Sequence, residues 1–290
     1  MKRKTTNTKE EKKDIKEPIL LFLKGALMGL FDLVPGISGG TIALITNIYL
    51  TLIKEINNAY NFIKTIFEFN LKKTKKAWHE INKKFLITLI LGIITGIIIS
   101  VNLMSYFLEN YFAQTLGAIT GIILIASLIM IKQYAKDKKN ILIGSAGLAL
   151  GILISILTPL AGHSFNYAQI FILGAITITA MILPGISGAL ILLLLGGYAF
   201  MIDALRSITT EYLTVAIFIL GAITGLGLFS YAINYLLKKH HDATMAFLAM
   251  LMLGAITKPI LEILNAKRPE LAIPFFAIAI IIAAIISKRK

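Results

Sequence analysis

The pentapeptide Pro-Gly-Ile-Ser-Gly occurs at residues 35–39 and again at 184–188, each time inside a long apolar stretch. Proline removes a backbone donor and glycine loosens the backbone, so each copy interrupts a helix. In hydrocarbon, a broken backbone is tolerated only where it is buried in protein or lines a polar cavity. A helix that restarts after such a break exposes N–H groups and a positive dipole end, which suit a phosphate or carboxylate. The two breaks therefore predict an anion site made from two copies of one element.

The residues predicted to contact this anion lie in or beside the two breaks. They are Pro35, Gly36, Ser38, Gly39, Gly40, Thr41, Pro184, Gly185, Ser187, Gly188 and Arg206. The serines either cap the restarted helices or offer hydroxyls to a ligand, and the glycines let a ligand approach the backbone. Arg206 follows the second apolar stretch, where it either attracts a phosphate from the outer leaflet or faces water.

Asp32 is the one acid expected within the apolar stretches, and a carboxylate inside a membrane is costly enough to indicate a function. Its counterpart in the second copy is Met181, so the predicted site is asymmetric. The carboxylate either carries a proton or binds a cation as part of a transport function, or it pairs with a base such as Lys24 and only orients the first break. The sequence leaves both roles open.

The duplication extends beyond the pentapeptide. At an offset of 149 residues, Gly25-Ala26 matches Gly174-Ala175 and Tyr49 matches Tyr198. At an offset of 129, the segment 92–96 matches 221–225. The repeated unit is therefore half of a protein.

Composition places the chain among polytopic membrane proteins, with 57% hydrophobic residues and a mean hydropathy of +0.81. It has no cysteine, and its four histidines show no metal-ligand spacing, so we expect neither a metal nor a cofactor. The polar N-terminus lacks a signal-peptide pattern and is expected to be a cytoplasmic tail.

Basic residues set the expected orientation, because 25 of the 29 Lys and Arg fall in five clusters. All five are cytoplasmic only if both 35-residue apolar segments enter the membrane and leave on the same side, as the positive-inside rule favours. The net charge of +14 then indicates orientation and contact with anionic lipids, not nucleic-acid binding. We expect an all-α polytopic protein of the cytoplasmic membrane with both termini inside. It would have six transmembrane helices and two re-entrant hairpins in an inverted-topology repeat.

The expected organisation starts with a basic tail at 1–18 and a first repeat at 19–131. That repeat comprises a re-entrant hairpin at 19–53, an amphipathic cytoplasmic segment at 54–84 and spans at 85–106 and 113–131. A linker at 132–167 contains a span at 141–157. The second repeat at 168–261 comprises a hairpin at 168–202 and spans at 213–237 and 243–261, and residues 262–290 hold a final span and a basic C-terminus.

Residues 28–41, with Tyr49, and residues 180–188, with Gly196 and Tyr198, resemble the two signatures of the PopT-type polyprenyl-phosphate transporter family. The resemblance implies that undecaprenyl phosphate is returned from the outer to the inner leaflet for cell-wall synthesis. Ala189-Leu190 stands where that family's second signature has Ser-Phe, so this half offers no additional hydroxyl.

Two other classes compete with a lipid flippase that works by alternating access. A small-anion channel or transporter also uses paired re-entrant hairpins. Gly36-Ile37-Ser38-Gly39 matches the Gly-x-Ser-Gly of intramembrane serine proteases, but no base lies in the core of a facing span, so we expect no enzyme. The exact lipid, the coupling ion, the direction and the oligomeric state are left open by the sequence.

Overall fold

The computed structural model describes residues 5–32, 38–159 and 165–287, and within these ranges the regular structure is helical. The first seven helices are α1 (Thr5–Asp32), α2 (Gly39–Ile45), α3 (Tyr49–Phe67), α4 (Leu71–Glu80), α5 (Lys83–Asn110), α6 (Phe112–Tyr134) and α7 (Lys138–Ile156). The remaining helices are α8 (Tyr167–Ile182), α9 (Gly188–Leu194), α10 (Tyr198–Arg206), α11 (Tyr212–Lys239), α12 (His241–Ala255), α13 (Thr257–Leu264) and α14 (Ala272–Ser287).

Within the described ranges, five helical segments are long and apolar enough to cross a membrane: α5, α6, α7, α11 and the α12–α13 pair. A sixth is added if α9 and α10, which meet at a bend of 108°, count as one span. Their large apolar side chains are widely exposed, as expected where the surrounding solvent is lipid. The chain is therefore a multi-pass membrane protein.

The long helices pack as side-by-side pairs through small residues. Gly25 of α1 lies against the backbone of Leu89 in α5, and further along the same pair Ser100 donates to the carbonyl oxygen of Leu30 at 2.8 Å. Contacts thus advance in the same direction along both helices, so α1 and α5 are parallel. Small residues let two helix backbones approach closely, which is the usual basis of helix association in lipid.

The same arrangement recurs in three other pairs. Gly174 and Ala175 of α8 pack on Phe218 and Gly225 of α11, Gly147 and Gly151 of α7 on Phe247 and Leu251 of α12, and Gly117 and Gly121 of α6 on Ala272 and Phe276 of α14. Contacts advance together in each of these pairs as well. All four pairs are therefore parallel.

The two halves repeat contacts as well as residues. Gly25 lies against Leu89, and its counterpart Gly174 lies against Phe218, which is 129 residues beyond Leu89. The seven-residue helices α2 and α9 also end alike, with positive φ at Asn47 (60°) and at its counterpart Gly196 (73°). At these positions the sequence duplication is therefore matched by equivalent contacts and backbone conformations.

The boundaries differ from the sequence-based expectation in three places. Helix α1 already begins at Thr5, inside the segment expected to be a tail. The segment at 54–84 holds most of α3, all of α4 and the first two residues of α5. The chain turns between α3 and α4 at Phe69 (φ 51°), and Asn70 caps α4 through the Lys73 N–H. The span expected at 243–261 runs from His241 to Leu264 and is divided at Ile256 into α12 and α13.

Candidate anion-binding site

The first break restarts as α2 with its N-terminus satisfied from within the protein. Ser38 is the N-cap, and its hydroxyl accepts the Thr41 N–H at 3.3 Å. The Gly39 N–H donates to the Asp32 carboxylate, which comes from the end of α1. A carboxylate of the protein therefore holds the position at which an external anion would bind. Pro35 and Gly36 lie outside the described residues.

The second break, residues 184–188, is entirely buried. Gly185 has a φ of +89°, a conformation that a side chain would strain, and it packs against Met252 and Ala255 of α12. Ser187 precedes α9 but its side chain makes no capping hydrogen bond, unlike Ser38 in the first half. Of the two roles considered for each serine, side-chain capping is therefore seen for Ser38 and not for Ser187.

The two breaks are joined directly by hydrogen bonds. The Gly185 N–H donates to the Thr41 hydroxyl at 2.7 Å, and the Ser38 hydroxyl donates to the Leu183 carbonyl at 3.1 Å. The two hydroxyls are 3.3 Å apart. Because Ser38 uses its proton on Leu183, Thr41 is the donor between them. The result is a continuous chain from the Gly185 N–H to the Leu183 carbonyl, which closes one break against the other.

This junction is fully enclosed. Ser38 is 1% exposed, Thr41 0% and Ser187 6%, and Gly40 packs directly on the carbonyl of Ile182. The structure therefore brings Ser38, Gly40 and Thr41 of the first break against residues 182–185 of the second in a closed arrangement. Thr177, which contacts Gly188, has a buried hydroxyl without a hydrogen-bond partner among the described residues. It was missed because a threonine inside an apolar helix gives no signal in a single sequence.

Arg206 is exposed, unlike the buried residues of the junction. Its side chain is 77% exposed at the end of α10 and pairs with Asp203 at 3.6 Å. Lys24, the base considered as a partner of Asp32, donates to the carbonyl of Thr46 at the end of α2 at 2.8 Å. This bond ties the far end of α2 to α1.

The expectation that Asp32 is the one acid of the apolar segments is wrong. Glu262 lies in the span formed by α12 and α13, where one of its oxygens is 3.7 Å from Lys258 Nζ. Its other oxygen is buried without a hydrogen-bond partner in the described part of the chain. The span expected from the sequence ends at residue 261, which placed Glu262 in the following loop, whereas the helical span continues to Leu264.

Comparison with known proteins identifies the family of the chain. Residues 28–268 match the family described as undecaprenyl phosphate translocase-like. The chain belongs to this family. The match includes both breaks and all the helices that form their junction.

Two curated relatives carry the same name. The polyprenyl-phosphate transporter of Vibrio cholerae is 38% identical over 238 residues, which are 82% of this chain and 76% of that protein. The polyprenyl-phosphate transporter of Staphylococcus aureus is 27% identical over 250 residues, covering 81% and 83% of the two chains. No solved structure matches this chain.

Proposed function

We propose that this protein is a translocase that carries undecaprenyl phosphate from the outer to the inner leaflet of the cytoplasmic membrane by alternating access. Family membership supports a lipid phosphate as the cargo. The observation that carries the proposal is the junction of two broken helices, joined from Thr41 to Gly185 and from Ser38 to Leu183, inside an otherwise apolar protein. A phosphate moved through hydrocarbon without replacement of its water would face a prohibitive desolvation cost, and such a junction offers replacement groups.

The proposed topology has two re-entrant hairpins and six spans. Because α1 and α5 are parallel neighbours, the chain between them returns to the side from which α1 starts, and the same holds for α8 and α11. If successive spans alternate in direction, α7 and α12 run one way and α6 and α14 the other, in agreement with their parallel pairing. The halves are then inverted, and Lys83, Lys138 and Lys239 fall on one side, which the positive-inside rule makes cytoplasmic.

In the proposed site, Ser38, Gly39, Gly40, Ser187 and Gly188 contact the phosphate when the junction opens. The first-half donors are engaged in the closed arrangement, Gly39 by Asp32 and Thr41 by Ser38. Binding of a phosphate therefore requires these internal contacts to be exchanged for contacts to the ligand. We assign to Arg206 the recruitment of headgroups at the outer surface, for which its exposure is suitable.

The exchange of internal contacts for phosphate contacts would depend on the protonation state of Asp32. Two anions do not share the α2 N-terminus without strong repulsion, so the phosphate displaces the ionised carboxylate or requires it to be protonated. Either route links headgroup binding to the state of Asp32. This assigns a coupling role to Asp32 in addition to its orienting contact with Gly39.

The test is flipping of a polyprenyl phosphate by purified protein in liposomes of known orientation, with and without a proton gradient. Ser187→Ala is the main variant, because Ser187 does not cap α9 and its loss should leave folding intact. Ser127→Ala is the matched control, a buried serine in α6 whose hydroxyl bonds only within its own helix among the described contacts. Flipping by wild type and control but not by Ser187→Ala supports both cargo and site.

Other outcomes separate the two parts of the proposal. Flipping by all three proteins keeps the cargo and contradicts the contact of Ser187 with the phosphate. Absence of flipping by the wild type under an imposed gradient contradicts the cargo and directs attention to a small-anion channel. A conductance measurement on the same liposomes then decides whether such a channel exists.

A further inference from the structure

Helices α3 and α4 form a hairpin that precedes the N-terminus of α5 and is held together by side-chain hydrogen bonds. The Asn82 N–H donates to the Glu55 carboxylate at 2.7 Å, and the Asn58 side chain donates to the Glu80 carbonyl at 3.0 Å. Nearer the turn, the Thr74 hydroxyl donates to the carbonyl of Thr65 at 3.0 Å. These bonds hold the two helices together along their length. The hairpin is therefore a defined element of the fold.

The turn of this hairpin carries three large apolar side chains that are mostly exposed, alternating with Glu68 and Asn70. The exposed fraction is 76% for Phe67, 93% for Phe69 and 87% for Leu71. Phe69 also has a φ of 51°, a region that glycine or asparagine would occupy with less strain. Exposure of this extent disfavours aromatic residues at a tip that faces water. The tip is suited instead to an apolar environment.

A groove of about 450 Å³ continues this apolar surface between the two helices. It is lined by Phe62, Leu71, Thr74, Lys75 and Trp78, and the rings of Phe62 and Trp78 lie 5.1 Å apart. The residues at 71, 74 and 78 recur at helical spacing, so α4 presents one continuous face to the groove.

Lysines border this face. Lys72, Lys75 and Lys76 are exposed on α4, and Lys83 Nζ lies 4.3 Å from the centre of the Trp78 ring. Lys73 is paired with Glu68 at 3.1 Å. The other lysines of α4, at 72, 75 and 76, give the hairpin an excess of positive charge. An aromatic and aliphatic face bordered by lysines is typical of helices that lie in a membrane interface. The excess of positive charge complements an anionic headgroup layer.

We propose that the α3–α4 hairpin docks on an anionic phospholipid surface, with Phe67, Phe69 and Leu71 among the acyl chains and the lysines on headgroup phosphates. The inference is independent of the transported lipid. Ile48 alone separates the turn that ends α2 from the start of α3. Docking of the hairpin would therefore also restrain α2, the helix that follows the first break. Anionic lipid would thus act on the junction from outside the transport path.

The chain contains a single tryptophan, Trp78, so its fluorescence reports on this groove without any engineering. The experiment uses the full-length protein in nanodiscs of neutral phosphatidylcholine, or of phosphatidylcholine with phosphatidylglycerol. Acyl-chain-brominated lipid quenches tryptophan within the bilayer, and iodide quenches tryptophan in water. We expect bromolipid quenching and iodide protection of Trp78 in the anionic discs, with both effects reduced in neutral discs and at high salt.

The test variant is Lys72→Ala/Lys75→Ala/Lys76→Ala. A matched control, Lys136→Ala/Lys138→Ala/Lys139→Ala, removes the same number of exposed lysines from the segment between α6 and α7 and the start of α7. Each lysine near an anionic surface contributes about fivefold to binding, so the test variant should lose roughly 100-fold of its preference for the docked state. The control should behave as the wild type.

Three results would overturn the proposal. Trp78 that is quenched by iodide equally in neutral and anionic discs lies in water. Trp78 that is protected from iodide in both discs, without bromolipid quenching, is covered by protein such as a second copy of the chain. Equal effects of the two lysine variants would show that the charge of the hairpin itself does not matter.

Discussion

Replacement of Thr41 by valine tests the junction of the two breaks most directly. The substitution preserves the β-branched shape of a side chain that is 0% exposed and removes only the hydroxyl. Two hydrogen bonds disappear, one from the Gly185 N–H and one to Ser38. Gly185 packs on Met252 and Ala255 of α12, and among the described residues its N–H donates to the Thr41 hydroxyl and to no other acceptor.

The expected loss of stability follows from that unpaired N–H. Side-chain hydrogen bonds between helices in membrane proteins contribute only about 0.6 kcal/mol on average, because the groups usually find other partners. A buried donor that stays unsatisfied costs about 1–3 kcal/mol. We expect Thr41→Val to fall in this higher range. Thr41→Ser retains the hydroxyl and should lose only about 0.5–1.5 kcal/mol, for the buried methyl group that it removes.

The measurement is unfolding of the purified protein in detergent, followed by the flipping assay on the folded fraction. Thr120→Val is the matched control, since Thr120 is also a buried threonine of an apolar helix, but its hydroxyl has no hydrogen-bond partner among the described residues. This control should be neutral or slightly stabilising. If Thr41→Val and Thr120→Val have equal stabilities, the hydrogen-bonded junction does not exist in the folded protein.

Three further predictions address the site and its surroundings. Asp32→Asn should reduce flipping about tenfold or more and flatten its pH dependence, because a charged acceptor of a backbone N–H contributes roughly 1.5–3 kcal/mol; full activity with an unchanged pH profile would exclude the coupling role. Ser187→Ala should leave the free energy of unfolding within about 0.5 kcal/mol of wild type while flipping falls, and a matching loss of stability would indicate a structural role instead. Glu262→Gln should lower the free energy of unfolding in detergent by about 1 kcal/mol, since Lys258 loses its ion partner at a partly exposed site. The double variant Glu262→Gln/Lys258→Met should regain most of that free energy.

Much of this fold can be predicted from the duplicated sequence. The offsets that align Gly25 with Gly174 also align their packing partners, Leu89 and Phe218, because a repeated sequence repeats its helix contacts. The meeting of the two breaks follows from the rule that broken backbone in a membrane must be buried in protein.

The parts that could not be predicted depend on backbone groups and small bends. Leu183 contributes only its carbonyl oxygen to the junction, and every residue has one, so its type carries no signal. Glu262 was assigned to a loop because it directly follows the apolar run at 243–261, whereas α13 continues to Leu264. The division of the 54–84 segment depends on Phe69 adopting a conformation that its residue type disfavours.

The two halves share their backbone but differ in their chemistry, and this difference bears on how transport is driven. The first half supplies Asp32 and Thr41, whose counterparts at an offset of 149 are Met181 and Leu190. The second half contributes backbone groups to the junction, the Gly185 N–H and the Leu183 carbonyl. Symmetric backbone arms allow inward and outward states of similar energy, as alternating access requires. In the proposed transport cycle, Asp32 belongs to the first arm only, so a change in its charge would favour one of the two states over the other.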